Sequence, residues 1–324
     1  MTEQFRDNLE CAYARTRLSH HVRHARESGH LAAAREKTGF ESSCTQASPW
    51  AGSSSTATKE ATIIPPTPSG FERSAVAGST LEDLDGAALE AFVRKRAPSF
   101  AERLGVERVA TTLGLLTVVG GHAVPTTAGL LLFGELPQLA RPEWGLVALR
   151  FSGSRISDEV AERLELEGPL AKLLEGAMSF VKGNSHCASA NTPEELNTSE
   201  YPLEAIREAL INALIHRDYR LTGRVALRIF DHRLEIWSPG GAIAPMDLQQ
   251  AMNRGGTSFA RNPILVATAR GLGLVEQIGR GLPLIGRLVA ESSGRQPNLR
   301  SSNSDFLLQL PSRLGPLPTT GPGN

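Results

Sequence analysis

Residues 202–239 restrict the fold more than any other stretch of the chain. Leu203, Ile206, Leu210 and Leu214 recur at three- and four-residue spacing behind Pro202, a residue suited to the first turn of a helix, so residues 202–219 are expected to form an amphipathic helix. "RVALRIF" then alternates Val225, Leu227 and Ile229, turns at Asp231-His232, and returns as "RLEIW" with Leu234 and Ile236 before Pro239-Gly240-Gly241. Period two on both sides of a short turn specifies a β-hairpin. On a second side of the helix Glu204, Glu208, Asn212 and His216 follow one another four residues apart, drifting only about 40° per step. A carboxylate and an amide therefore project together.

The chain has 324 residues, 40% of them hydrophobic, enough for a substantial core and roughly two domains. Thirty-four basic residues balance thirty-four acidic ones, which leaves no overall field toward nucleic acid or an anionic membrane; any nucleic-acid contact has to be local. Cys11, Cys44 and Cys187 stand far apart without a CxxC pair, which argues against a zinc cage or a disulfide framework and fits a reducing cytoplasm. The polar start "MTEQFRDNLE" and the lack of a run approaching ~18 apolar residues give no expectation of membrane insertion.

Composition changes near residue 70. Residues 40–70 are rich in Ser, Thr, Ala and Pro and lack periodicity, so residues 1–70 are expected to be disordered or unassigned. "YARTRLSHHVRHARESGH" within them holds Arg and half of the histidines; His20 and His24 have helical ligand spacing, but nothing completes a metal site and a solvated polar segment is the plainer reading. Residues 71–140 are expected to be a helical linking region, 141–312 the main domain and 313–324 a flexible tail. From Ser79 or Thr80, either of which offers an N-cap, "STLEDLDGAALEAFVRKRAP" reads as a helix with acids first and bases last. Residues 114–134 give two short apolar runs around Gly120-Gly121, the second of them strand or helix by period alone. "WGLVALRFSG" reads as a strand and "EGPLAKLLEGAMSFVKG" as a helix.

His216-Arg217-Asp218 has the letters of a protein-kinase catalytic loop. That loop needs an Asn five residues after its Asp, where this chain has Gly223, and it is not followed here by Asp-Phe-Gly. A P-loop reading fails because G-x-x-x-x-G-K-[ST] does not occur. Later, Gly279, Arg280 and Gly281 precede Leu282-Pro283, which opens a helix over 282–292: exposed amides at a helix start beside a cation suit a phosphate.

In this order, a helix with Glu208 and Asn212, a hairpin, Gly240-Gly241, a long variable segment, Gly279-x-Gly281-Leu282 and a closing "DFLLQLP" resemble the GHKL (Bergerat) ATPase fold of gyrase, Hsp90, histidine kinases and MutL. "EALINALIHRDY", "RLEIWSPGG", "RNP" at 261–263, "GLGLVEQIGRGL" and "PTTAGLLLFG" are similar to bacterial RecG-like proteins also described as transcriptional regulators, over about 71–312. The resemblance implies an α/β sandwich, a mixed sheet with helices on one face, preceded by a small helical/β segment. It implies ATP and Mg2+ as cofactors: Asn212 as the magnesium ligand, Glu208 orienting or deprotonating the attacking water. Gly279, Arg280, Gly281 and Leu282 would surround the phosphates, and residues 242–278 would form a mobile lid anchored by Arg261 and Asn262. His216, Asp218, Ser238, Gly240 and Gly241 complete the implied nucleotide-binding set. Ser238 stands where most such proteins carry the adenine-binding Asp, and a serine accepts a bond from an exocyclic amine more weakly than a carboxylate does. Relatives also carry an N-terminal Schlafen-type (AlbA-like) DNA-binding domain whose strand and glycine pattern residues 1–70 lack. Two functions stay open: a regulatory protein, cytoplasmic, in which a magnesium-dependent ATPase site controls contact with DNA, a protein or a second copy; or a DNA-binding regulator scaffold with a degenerate nucleotide pocket.

Overall fold

Thr80 starts a 3-10 turn and Asp85 starts the first helix, where a single helix from Ser79 or Thr80 is expected. In a computed structural model that describes residues 70–185, 199–242, 252, 260–275 and 281–314, Thr80 closes a capping box on Leu81–Asp83. Helix α1 (Gly86–Arg96) begins only where Asp85 accepts from the Ala88 N–H at 2.9 Å. Two acceptors in sequence cap two elements. Helices α2 (Pro98–Leu104) and α3 (Val106–Thr112) follow after the single residues Ala97 and Gly105. Strands β1 (Leu116–Val119) and β2 (His122–Pro125) pair antiparallel around Gly120-Gly121, whose φ angles of 60° and 86° suit glycine. "PTTAGLLLFG" resolves as helix α4 (Thr127–Phe133), capped by Thr126, which accepts from Gly129 N–H at 3.0 Å. All seven of its residues are buried.

The main sheet has six strands: β3 (Leu146–Phe151), β4 (Val160–Leu166), β5 (Val225–Ile229), β6 (Arg233–Pro239), β7 (Asn298–Ser301) and β8 (Asp305–Pro311). Their spatial order is β4-β3-β5-β6-β8-β7, with β3 and β5 parallel and every other neighbour antiparallel. Four helices accompany it: α5 (Leu170–Asn184), α6 (Leu203–His216), α7 (Pro263–Gly271) and α8 (Gly281–Ser293). Register aligns Leu164, Ala148, Leu227, Ile236 and Leu308 in one row, and Ile229, Leu234 and Leu310 in the next. These rows face α5, α6 and α8. The alternating rows carry Arg163, Arg228, Glu235 and Gln309 beside Val147 and Trp237, so one face packs helices and the other is mixed. This is the expected α/β sandwich with a helical/β segment before it. The described residues all fall within one compact unit. Residues 1–69, with the expected disordered region and His20 and His24, and residues 315–324 of the expected tail lie outside the described residues.

Helix α6 is shorter than the expected 202–219. Pro202 is its N-cap and Arg217 leaves it with φ −51° and ψ 142°, so Asp218 and Tyr219 belong to the following loop. The guanidinium of Arg217, on a residue only 1% exposed, reaches the carbonyls of Glu143, Asp218, Leu221 and Gly223 at 2.8–3.3 Å. A loop wrapped around a buried cation stops the helix there. Within 242–278, expected as a mobile lid, α7 is a fixed element: Ile264, Leu265, Val266 and Ala269 are buried in the core.

Candidate functional site

Helix α6 positions its polar pair by burying eight apolar residues along its length, with Glu208 itself buried beside them. Asn212 Nδ2 donates to Glu208 Oε1 at 3.0 Å, one helical turn away. With its nitrogen toward the carboxylate, the Asn212 side chain keeps Oδ1 as an acceptor, the atom type a hard cation takes. Helix α8 packs along α6 and starts at Gly281, where a methyl group would lie 2.2 Å from Glu208 Oε1 and 2.8 Å from Asn212 Nδ2. A side chain there would force the Glu208 and Asn212 ends to move, so glycine lets the first turn of α8 lie against the pair as it stands. That turn carries backbone N–H groups with no intrahelical partner and the positive end of the helix dipole. Leu282 packs half-buried against the core beside it.

The structure thus brings together Glu208, Asn212, Gly281 and Leu282. Gly279 and Arg280 lie outside the described residues, as do 243–251, 253–259 and 276–278 of the expected lid. Among the described residues no group of three or more His, Cys, Asp or Glu could hold a metal by itself. Magnesium retains several waters and takes one or two protein oxygens plus phosphate oxygens, so a lone Asn212 amide beside phosphates fits that ion.

A second group of expected nucleotide residues is occupied with the fold's own contacts. Arg261 donates to Asp218 Oδ2 at 3.1 Å and to the Gly241 carbonyl at 2.7 Å. Asn262, 2% exposed, donates through Nδ2 to the carbonyls of Ile215 and Arg217, both at 2.9 Å, at the end of α6. Asp218 also holds Arg220, and its backbone N–H donates to the Pro239 carbonyl. Gly240 has φ 95° and approaches Asp218 so closely that a Cβ would sit 2.6 Å from the Asp218 Cβ; at Gly241 a Cβ would overlap the Ser302 carbonyl. These contacts tie the end of α6, the end of β6 and the start of α7 into one knot. Ser238 is 4% exposed and donates its hydroxyl to the Ala213 carbonyl at 3.0 Å. It braces β6 against α6 with its hydrogen, and its oxygen keeps acceptor capacity.

Electrostatics follow the same division. The hydrogen-bonded Arg220 guanidinium, aided by Arg261, holds the Asp218 carboxyl below the usual range. Desolvation pushes His216 down to about 4 and the charge of Arg261 acts in the same direction, so His216 is neutral at pH 7 and is not a phosphate-binding cation. Two residues that matter to this knot escape sequence reading. Arg217 was visible only within the misleading kinase letters. Glu72, 2% exposed, accepts from the N–H groups of Ile264 and Leu265 at 3.0–3.1 Å, and thereby caps α7 from nearly two hundred residues away. Burial raises its pKa against the lowering effect of those two bonds.

Residues 223–310 match a protein family described as "Putative ATP-dependent DNA helicase recG C-terminal". The matched span begins after α6 and includes β5 to β8, α7 and α8. A search of curated proteins finds no match. Among solved structures, the DIP2311 protein from Corynebacterium diphtheriae is similar, with 26% identity and a TM-score of 0.52 over 75% of this chain and 46% of that one. The chain therefore spans a little under half the length of that protein. Its C-terminal region is RecG-like and ATPase-like.

Proposed function

We propose that the groove between α6 and α8 binds ATP with Mg2+, and that the nucleotide state regulates contact with another macromolecule. The observation that supports this most is the fit of Gly281 against Glu208 and Asn212. It sets an anion-attracting helix start beside a carboxylate and a metal-type amide oxygen, three parts that nucleotide chemistry needs and that a plain helix pair does not. Bound Mg-ATP supplies the transferable phosphoryl group. Asn212 would give Oδ1 to the cation, the first turn of α8 would face the phosphates, and Glu208 would orient or deprotonate water. With Glu208 replaced by alanine, ATP turnover should fall to background while magnesium-dependent ATP binding persists. Loss of neither, or loss of both together, would contradict the role given to Glu208.

One observation favours the second reading, a regulator scaffold with a retired pocket. Ser238 has its hydrogen committed to Ala213 and is buried, so β6 offers no carboxylate to a base. An ATP-binding site here would draw its affinity from phosphate and metal contacts, and absence of any nucleotide binding would select the scaffold.

A further inference from the structure

Residues 86–125 take no part in the groove between α6 and α8; they are three short helices followed by a hairpin, in contact with one another. We propose that these exposed helices and the projecting hairpin bind duplex DNA. Leu89, Val93, Ala101, Val109, Ala110 and Leu116 bury the inner sides of the helices and the base of the hairpin in the one continuous core. Gly105, with φ 82°, is the single residue between α2 and α3, and its left-handed backbone ends one helix and starts the next.

One side of this segment is fixed against the rest of the unit. Phe92 on α1 packs against Phe133 at 5.6 Å between ring centroids, and a Cβ on Gly271 at the end of α7 would meet the same ring at 2.8 Å. The other side is open. On α2 only Ala101 is buried, and on α3 Glu107, Arg108 and Thr112 are exposed. The hairpin is buried at its base, with Leu116 3% exposed, but Val118 and Val119 at its tip are 57% and 53% exposed. These two β-branched residues end strand β1 and present an apolar surface beside the turn.

Charge identifies the partner. The chain as a whole is neutral, yet residues 94–108 hold five cations, Arg94, Lys95, Arg96, Arg103 and Arg108, against Glu102 and Glu107. Arg94 pairs with Glu90 and Arg103 lies over Phe100. Lys95, Arg96 and Arg108 are exposed and make no ion pair among the described residues. A local cationic surface within a neutral protein suits phosphates, and an exposed helix followed by a projecting hairpin suits a groove and its flanking backbone. In this arrangement α3 faces the major groove, while Lys95, Arg96 and the hairpin tip meet the backbone on either side. The contacts of Phe92 and Gly271 join this segment to α7, whose first residues hold the end of α6, so DNA and nucleotide would act on connected elements.

The test is fluorescence anisotropy of a labelled 20-base-pair duplex with the full chain, without nucleotide, across a salt series, so its outcome is independent of the nucleotide reading. Wild type should bind at low salt. The double variant Lys95→Glu/Arg96→Glu should bind about tenfold or more weakly, and the slope of log affinity against log salt should flatten by about 2, at ~0.9 per lost phosphate contact. Val118→Ser/Val119→Ser should weaken binding with the slope unchanged. Arg108→Glu provides a single substitution should the double variant unfold, and is expected to weaken binding in the same way. No duplex binding by wild type, or binding that these charge reversals leave intact, would overturn the proposal.

Discussion

Replacing Asn262 by alanine tests whether the "RNP" segment holds the fold or a ligand. The side chain is 2% exposed and its two amide hydrogens go to the carbonyls of Ile215 and Arg217 at 2.9 Å. Truncation removes both bonds and leaves two acceptors at the end of α6 in a site closed to water. A neutral bond contributes about 1 kcal/mol net, and an acceptor stranded in the interior costs about 1–3 kcal/mol, so the pair should cost roughly 2–4 kcal/mol of stability. For a unit of this size each kcal/mol moves the melting temperature by about 2–4 °C, which predicts a drop of roughly 5–15 °C. Circular dichroism during thermal and urea unfolding of the full chain reads this directly. Asn262→Asp keeps the volume but sets a carboxylate against two carbonyls, and should be at least as damaging. A loss below about 0.5 kcal/mol, with nucleotide affinity reduced instead, would refute the account of Asn262 as a brace and return it to the ligand.

Gly281→Ala should reduce ATP affinity by about tenfold or more, because its methyl would displace the Glu208 carboxylate and break the bond from Asn212, a charged hydrogen bond of ~1.5–3 kcal/mol; unchanged affinity by calorimetry would contradict the fit. His216, held down to about 4 when folded against an ordinary value of 6.5, leaves the unfolded chain to take up the proton first. Stability should therefore fall as pH drops from about 6.5 toward 4, by up to roughly 3 kcal/mol, and His216→Gln should remove most of that slope in melts at pH 5 and 7.5. Asp218, held low by Arg220 and Arg261, contributes in a separate window: its stabilisation is present above its ordinary range and lost as pH falls through its depressed folded value.

The apolar periods of α5 and α6 and the alternation of β5 and β6 were legible because each of these elements buries a regular stripe. Strand β4 gave no such signal. Its residues are exposed but for the half-buried Leu166, as befits an edge strand, and "VAERLEL" mixes charge with apolar residues on both faces. Four-residue β7 is too short to show a period. The pair on α6 could be read from its four-residue spacing, but the neighbourhood of Gly281 could not, since it depends on how α8 lies across α6. The contacts that Asp218, Gly240, Gly241, Arg261 and Asn262 make within the fold were not legible for a related reason. Polar and glycine residues in loops look alike in sequence whether they grip a ligand or one another, and here their contacts are with one another. Glu72 was beyond local reasoning because its partners, Ile264 and Leu265, are distant in sequence.

The central claim concerns the groove between α6 and α8, and titration calorimetry of ATP into the full chain, with and without Mg2+, tests it most directly with wild type beside Asn212→Ala. Wild type should bind ATP more tightly with magnesium than without it, and Asn212→Ala should lose the magnesium-dependent part of that affinity. Equal affinities in the two proteins, or no binding to wild type with the ion present, would contradict the account.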